Sequence, residues 1–200
     1  MKIFTEKGRS MVEMLGVLAI IAVISAGALV GYSKAMRRQR LNEIISQIAL
    51  MVVNIHSFYG NQDSYETLNE RTAVKYNIVT QRMHGSGNTL YSPYQGRINI
   101  TLDKAVQDGP DKTAFVITYR DLPVEACIAL ANTDWGHGEK IGFLGLSIGA
   151  DDNDPTHPLS PSEYFTINKQ MEPLTIHDAA TYCAGSNPNA SRSVVSLKFF

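Results

Sequence analysis

The 200 residues carry 18 basic and 19 acidic side chains, a net charge of -1. That balance offers no basic field to hold nucleic-acid phosphates, which argues against a general nucleic-acid binder, and no specific nucleic-acid partner is expected. The length suits one domain of moderate size beside a membrane helix.

The chain opens MKIFTEKGRSMVEMLGVLAIIAVISAGALVGY. From Met14 to Gly31 eighteen residues pass without a charge, enough at about 1.5 Å per residue to cross most of a ~30 Å hydrocarbon core as a helix. One carboxylate, Glu13, stands at the mouth of this run. Beyond Tyr32 the pattern changes. Apolar residues recur at Leu41, Ile44, Ile45, Ile48, Met51, Val52, Ile55, Phe58 and Tyr59, the three-and-four spacing of one helix face. No proline occurs before Pro93, so the pattern predicts a single helix from about Arg9 to Tyr59, apolar all round in its first half and on one stripe in its second.

A short basic segment ending in glycine, a glutamate five residues beyond it and a long uncharged helix together resemble the type IV pilins and their relatives. The resemblance implies a leader at residues 1–8, cut between Gly8 and Arg9, and N-methylation of the Arg9 amine so released. Residues 9–32 would be the transmembrane and filament-core half of the helix, and residues 33–200 the periplasmic and then extracellular globular part. It implies that Glu13 serves assembly, meeting the N-terminal amine of a neighbouring subunit. The partners it implies are copies of the chain itself in a helical filament, the prepilin peptidase, the inner-membrane pilus assembly machinery, and the membrane before assembly. Arg9 departs from the apolar first residue common in the family and lies four residues before Glu13, where its guanidinium could instead pair with that carboxylate within one helix. An uncleaved signal anchor is one alternative. A secretory signal peptide is another, but its apolar region is only ~7–15 residues long.

Charge counting argues the opposite orientation. Lys2, Lys7, Arg9 and Glu6 give +2 before the apolar run, whereas Lys34, Arg37, Arg38 and Arg40 give +4 after it, which would keep the C-terminal side in the cytoplasm. The resemblance implies the reverse: a single-pass inner-membrane protein with its N-terminus cytoplasmic, later an extracellular pilus filament. Loss of residues 1–8 removes Lys2, Lys7 and Glu6, leaving sixteen basic and eighteen acidic residues, or -2.

After Tyr59 the chain is polar and rich in turn formers. Ala73 to Met83 can hold a short helix, and His84 to Gly96 reads as loop. Arg97 to Leu102 and Thr113 to Tyr119 alternate as two antiparallel strands, with a turn in Asp108 to Asp111. Ile98, Ile100 and Leu102, with Phe115 or Val116 and Ile117, would cover the amphipathic half of the long helix. LPVEACIALANTD fits a short helix with Pro123 near its first turn. Gly142 to Gly149 is a third strand candidate and Tyr164 to Asn168 another. Thr175 to Cys183 reads as a helix with Thr175 as a possible cap, and SVVSLKFF as a final strand.

Fifty-five residues separate Cys127 from Cys183, which rules out a compact CxxC metal or redox motif. An even count beyond a membrane segment favours one disulfide in an oxidising compartment over two buried free thiols. The pilin resemblance adds to this, since a bridge commonly ties down the C-terminal part of those subunits. A cysteine-bearing helix followed by a terminal strand looks like the type IVb pilins in particular, whose leaders are usually longer than eight residues.

Little in the sequence supports catalysis. His56, His84, His137, His157 and His177 form no HExxH or close pair and read as surface or loop residues, so no metal is expected. WGHGEK lacks the frame of a phosphate loop, and no GxSxG occurs. Asp151 to Asp154 could chelate calcium, but the glycine and glutamate of an EF-hand loop are missing, which leaves a solvated loop. Asn99-Ile-Thr101 and Asn189-Ala-Ser191 match a glycosylation sequon without a host pathway to give it weight. Gly27 and Gly31 make a GxxxG string that would let helices pack closely in lipid; plain tolerance of glycine there explains it nearly as well.

The expected fold is α+β: a long N-terminal helix, transmembrane then amphipathic, packed on an antiparallel sheet with a disulfide in the C-terminal region. The expected function is structural, as a type IV pilus subunit, with neither catalytic residues nor cofactors. The alternatives are a type II secretion pseudopilin and a minor pilin acting as tip adhesin or DNA-uptake binder.

Overall fold

The computed structural model describes residues 11–105, 109–136, 142–150, 174–184 and 192–200. The chain divides into two compact units, Met1–Arg40 and Leu41–Phe200. A single helix, α1 (Met11–Tyr59), contributes to both. Its elements in order after α1 are α2 (Glu70–Lys75), a 3-10 turn (Gln81–Met83), β1 (Leu90–Tyr91), β2 (Arg97–Asp103), β3 (Ala114–Pro123), α3 (Val124–Ala131), β4 (Phe143–Ala150), α4 (Ile176–Ala184) and β5 (Arg192–Phe199).

In the second unit the α1 stripe is spent on the core. Ile44, Ile48, Met51, Val52, Ile55 and Tyr59 are buried, and they share one cluster with side chains of the sheet. Phe58 does not join them. It is 44% exposed, its ring lying 4.7 Å from that of Tyr76 on the outside of the unit. A helix turns ~100° per residue, and Tyr59, one position on, takes the inward place.

The five strands pair antiparallel in the order β1-β2-β3-β5-β4. Because side chains alternate across a strand, the register stacks whole rows on the core face. Ile100, Ile117, Leu197 and Leu146 form one row, and Leu102, Phe115, Phe199 and Phe143 the next. Rings of Phe115 and Phe199 stack at 5.6 Å, and those of Phe199 and Phe143 meet at 5.5 Å. The opposite face alternates into polar rows, with Thr118 and Ser196 hydroxyls 2.9 Å apart. There Lys198 reaches across β3 to Asp103 at 2.9 Å.

Local chemistry explains the ends of the elements. Asn69 and Thr72 form a reciprocal capping box at the start of α2. The Glu70 carboxylate beside it accepts from the Ile100 backbone N–H at 3.1 Å and from the Asn99 amide at 3.4 Å. On β2 the pairing with β1 covers Arg97 and Ile98, and Glu70 satisfies the edge N–H that follows, where an unpaired strand would invite association. Asn99 is thereby held half-buried, which argues against its use as a glycan acceptor. At the β2 entrance a Cβ on Gly96 would run into the Arg120 carbonyl, beside the irregularity in β3 between Tyr119 and Leu122.

Pro123 adopts an extended φ of -65° and ends β3 just before α3. Thr175 caps α4: its hydroxyl accepts from the Asp178 N–H at 3.2 Å and donates to the Asp178 carboxylate at 2.7 Å. Cys127 on α3 and Cys183 on α4 are bonded, their Cα atoms 5.9 Å apart, within the favoured range for a bridge. The short helix expected over Ala73 to Met83 is instead α2, starting earlier, followed by the separate 3-10 turn. The expected loop from His84 to Gly96 contains the two-residue β1. The strand expected at Tyr164 to Asn168, the acidic segment at Asp151 to Asp154, and Asn189 lie outside the described residues.

Candidate assembly surface on the N-terminal helix

Within the first unit, the described residues are the opening thirty of α1, and those from Met11 to Ala35 are all exposed. Met11 is 85% exposed, Val23 74% and Leu29 69%. No residue of the most apolar 18-residue window is buried, and the helix is long and apolar enough to cross a membrane. Such a surface is stable only when lipid or other apolar helices take the place of water. A Cβ at Gly27 or Gly31 would meet nothing within 4 Å, so neither glycine serves a contact among the described residues.

Glu13 lies in the first turn of this helix, exposed, where a carboxylate complements the positive end of the helix dipole. It is the only charge between Met11 and Ser33. An ionised carboxylate held at the centre of a bilayer costs ~2.5–3.5 kcal/mol by insertion scales, so Glu13 belongs at an interface or beside a cation. Gly8 and Arg9, the expected cleavage and methylation positions, lie outside the described residues.

The second unit carries no arrangement suited to catalysis among its described residues. No group of three His, Cys, Asp or Glu side chains is placed to hold a metal there. Cys127 and Cys183 are consumed in their bridge, so no thiol is available as a nucleophile. A cleft of about 430 Å³ is lined by Asn69, Glu70, Arg71, Asn88, Thr89, Arg97 and Ile98; its one carboxylate is committed to the β2 edge.

His56 corrects the expectation of a surface histidine. It is half-buried on α1, its ring edge-on to Phe115 at 5.8 Å. Burial holds its pKa below the usual histidine range, and a hydrogen bond to the Phe200 backbone opposes that shift only in part. Its spacing with Ile55 and Tyr59 on an apolar stripe was the available sign of burial. His84 likewise has a buried Nε2. His56 is a packing residue.

The family model for bundlin matches residues 33–200. The chain belongs to the bundlin family. Among its relatives, the major structural subunit of the bundle-forming pilus of Escherichia coli O111:H- is 26% identical over 187 residues, covering 91% of this chain and 90% of the relative. The counterpart from a second, enteropathogenic Escherichia coli strain shows the same identity and coverage. These alignments take in more of the chain than residues 33–200 supply, and so extend into the N-terminal helix. Among solved structures, a type IVb pilin from Salmonella typhi superposes with a TM-score of 0.50 at 18% identity, over 76% of this chain and 94% of that one. The pilin TcpA of Vibrio cholerae El Tor gives 0.48 at 13%, over 81% and 99%. The fold of this bundlin-family chain is that of a type IV pilin, as its helix, sheet and disulfide led us to expect.

Proposed function

We propose that this bundlin-family chain is the structural subunit of a pilus, a filament built from copies of itself through the apolar half of α1. The observation that carries the proposal is the wholly uncovered apolar surface from Met11 onward, with one carboxylate at its end, on a chain whose relatives are named as major pilus subunits. That naming favours a pilus over a secretion pseudopilus. The function is structural, not enzymatic.

In this reading residues 1–8 are a leader removed by a prepilin peptidase between Gly8 and Arg9, and the Arg9 amine is then methylated. Residues 9–32 hold the subunit in the inner membrane with its N-terminus cytoplasmic, and residues 33–200 lie outside. The assembly machinery then moves the subunit into the extracellular filament, where the apolar halves bury one another. Glu13 supplies direction: desolvated among apolar helices, it gains most by meeting the N-terminal amine of a neighbouring subunit.

Co-expression of Glu13→Ala with the wild-type chain tests this. The variant subunit is expected to be processed to start at Arg9, to fold normally, and to be depleted several-fold from sheared filaments relative to its share of total subunit, as read by mass spectrometry. Incorporation in proportion to that share would overturn the intersubunit role. It would support the internal Arg9 pair instead, whose loss costs only ~0.2–0.5 kcal/mol.

A further inference from the structure

The first unit carries a second feature that filament packing of its apolar run does not use. Within seven residues at the far end of that run stand Lys34, Arg37, Arg38 and Arg40, all exposed on α1. Lys34, Arg37 and Arg38 follow the i, i+3, i+4 spacing and occupy one face, with Arg40 on its flank. Between Glu13 and Glu43 the sequence has no acidic residue.

We infer that this basic group is a collar that binds anionic phospholipid headgroups of the leaflet on the C-terminal side of the apolar run. The inference rests on the membrane-spanning reading proposed above and goes beyond it by naming the ligand chemistry, a phosphodiester-bearing lipid surface. Register is the first argument. The uncharged run from Met14 to Ser33 has twenty residues, about 30 Å of helix and so about one hydrocarbon thickness. A helix set with Glu13 at one interface therefore delivers Lys34 to the other.

Tyr32 is the second argument. It is 65% exposed and stands one turn or less from the collar, where an amphipathic aromatic ring is favoured at headgroup level. The third is chemical. Lys and Arg stems lie along apolar surface while their charged heads reach outward to phosphate, and guanidinium groups engage phosphate oxygens in pairs. Near an anionic leaflet each such cation is worth about fivefold in binding.

The collar also bears on the conflict in charge counting. Four positive charges on the outer side oppose translocation, but once across they fix the depth of the helix by attraction to that leaflet. Entry into a filament must strip the collar from the headgroups, so anionic lipid content sets how readily a subunit leaves the membrane.

The test uses the full chain purified from membranes and reconstituted in phosphatidylcholine vesicles containing spin-labelled phosphatidylglycerol or spin-labelled phosphatidylcholine. Electron paramagnetic resonance reads the fraction of each lipid immobilised at the protein. For the wild-type chain phosphatidylglycerol should be preferred by roughly fivefold or more at low salt, and the preference should fall as salt screens the charges. The variant Lys34→Gln/Arg37→Gln/Arg38→Gln keeps good helix formers and should lose most of it, whereas Arg71→Gln/Lys75→Gln, which removes charge from the second unit, should keep it. Equal immobilisation of both lipids by the wild-type chain, or an undiminished preference in the triple variant, overturns the inference. So does a triple variant with unchanged lipid preference but impaired filament incorporation, which would assign the cations to a neighbouring subunit. Extraction of the wild-type chain from membranes by alkaline carbonate would instead overturn the membrane-spanning reading itself.

Discussion

The two stretches of α1, residues 11–40 and residues 41–59, have the same backbone geometry and opposite fates. In the first, isoleucines such as Ile20, Ile21 and Ile24 are 63%, 53% and 66% exposed; in the second, Ile44, Ile48 and Ile55 are wholly buried. The difference is not in helix propensity. It lies in whether the chain itself supplies an apolar counter-surface. Residues 41–59 face rows of Phe, Ile and Leu from β2, β3 and β5, whereas residues 11–33 are apolar on every side, which no single sheet could cover. The second stretch is thus covered within its own chain, and the first leaves its apolar surface exposed.

The strongest way to sharpen that contrast is the disulfide, which reinforces only the second unit. Its removal in Cys127→Ala/Cys183→Ala deletes a bridge that closes a long loop, worth roughly 4 kcal/mol in the chain-entropy model. Denaturant unfolding of the full chain in detergent should show a loss of about 2–5 kcal/mol, with the helicity of residues 11–40 unchanged.

Next comes a matched pair of truncations. Ile48→Ala opens a cavity beneath the sheet and should cost about 2–5 kcal/mol. Ile21→Ala should change unfolding of the second unit by less than about 0.5 kcal/mol while lowering incorporation into filaments. Equal effects of the two on denaturation would break the comparison. Thr175→Ala, which removes the cap of the helix bearing Cys183, should cost ~1 kcal/mol and leave filament yield intact when the disulfide is formed.

The smallest effect concerns pH. His56 titrates lower in the folded chain than in the unfolded one because its ring is half-buried. The unfolded state therefore binds the proton first. His56 contributes stability above its ordinary pKa, near 6.5, and that contribution is lost as pH falls through the lowered folded value. His56→Gln should flatten stability between neutral and mildly acid pH, measured as the shift of the denaturation midpoint; an unchanged slope would remove His56 as the cause.

Features carried by short-range pattern were legible in the sequence. The uncharged run, the change to a one-sided stripe at Leu41, the alternation in β2 and β3, the capping Thr175 and the paired cysteines each depend on residues a few positions apart, or on simple chemistry. The family resemblance, carried by Gly8, Glu13 and the uncharged run, rests on such a local pattern too.

Strand order needed the tertiary structure. The last strand, β5, pairs between β3 and β4, because its neighbours are chosen by core rows such as Phe115–Phe199–Phe143, assembled from distant parts of the chain. The outward turn of Phe58 and the use of Glu70 to close the β2 edge have the same cause. Each depends on which surface another segment brings up, and periodicity along one helix or strand carries no information about that. The sequence by itself determined the long helix, strands β2 to β5, the two cysteine-bearing helices and the membrane-compatible run, since those follow from local backbone preference and apolar spacing, but neither the bounds of α2 nor the short β1. Tertiary structure decided which apolar faces were already satisfied and which remain for a partner, because burial is a property of two surfaces and the sequence of either one describes only half of it.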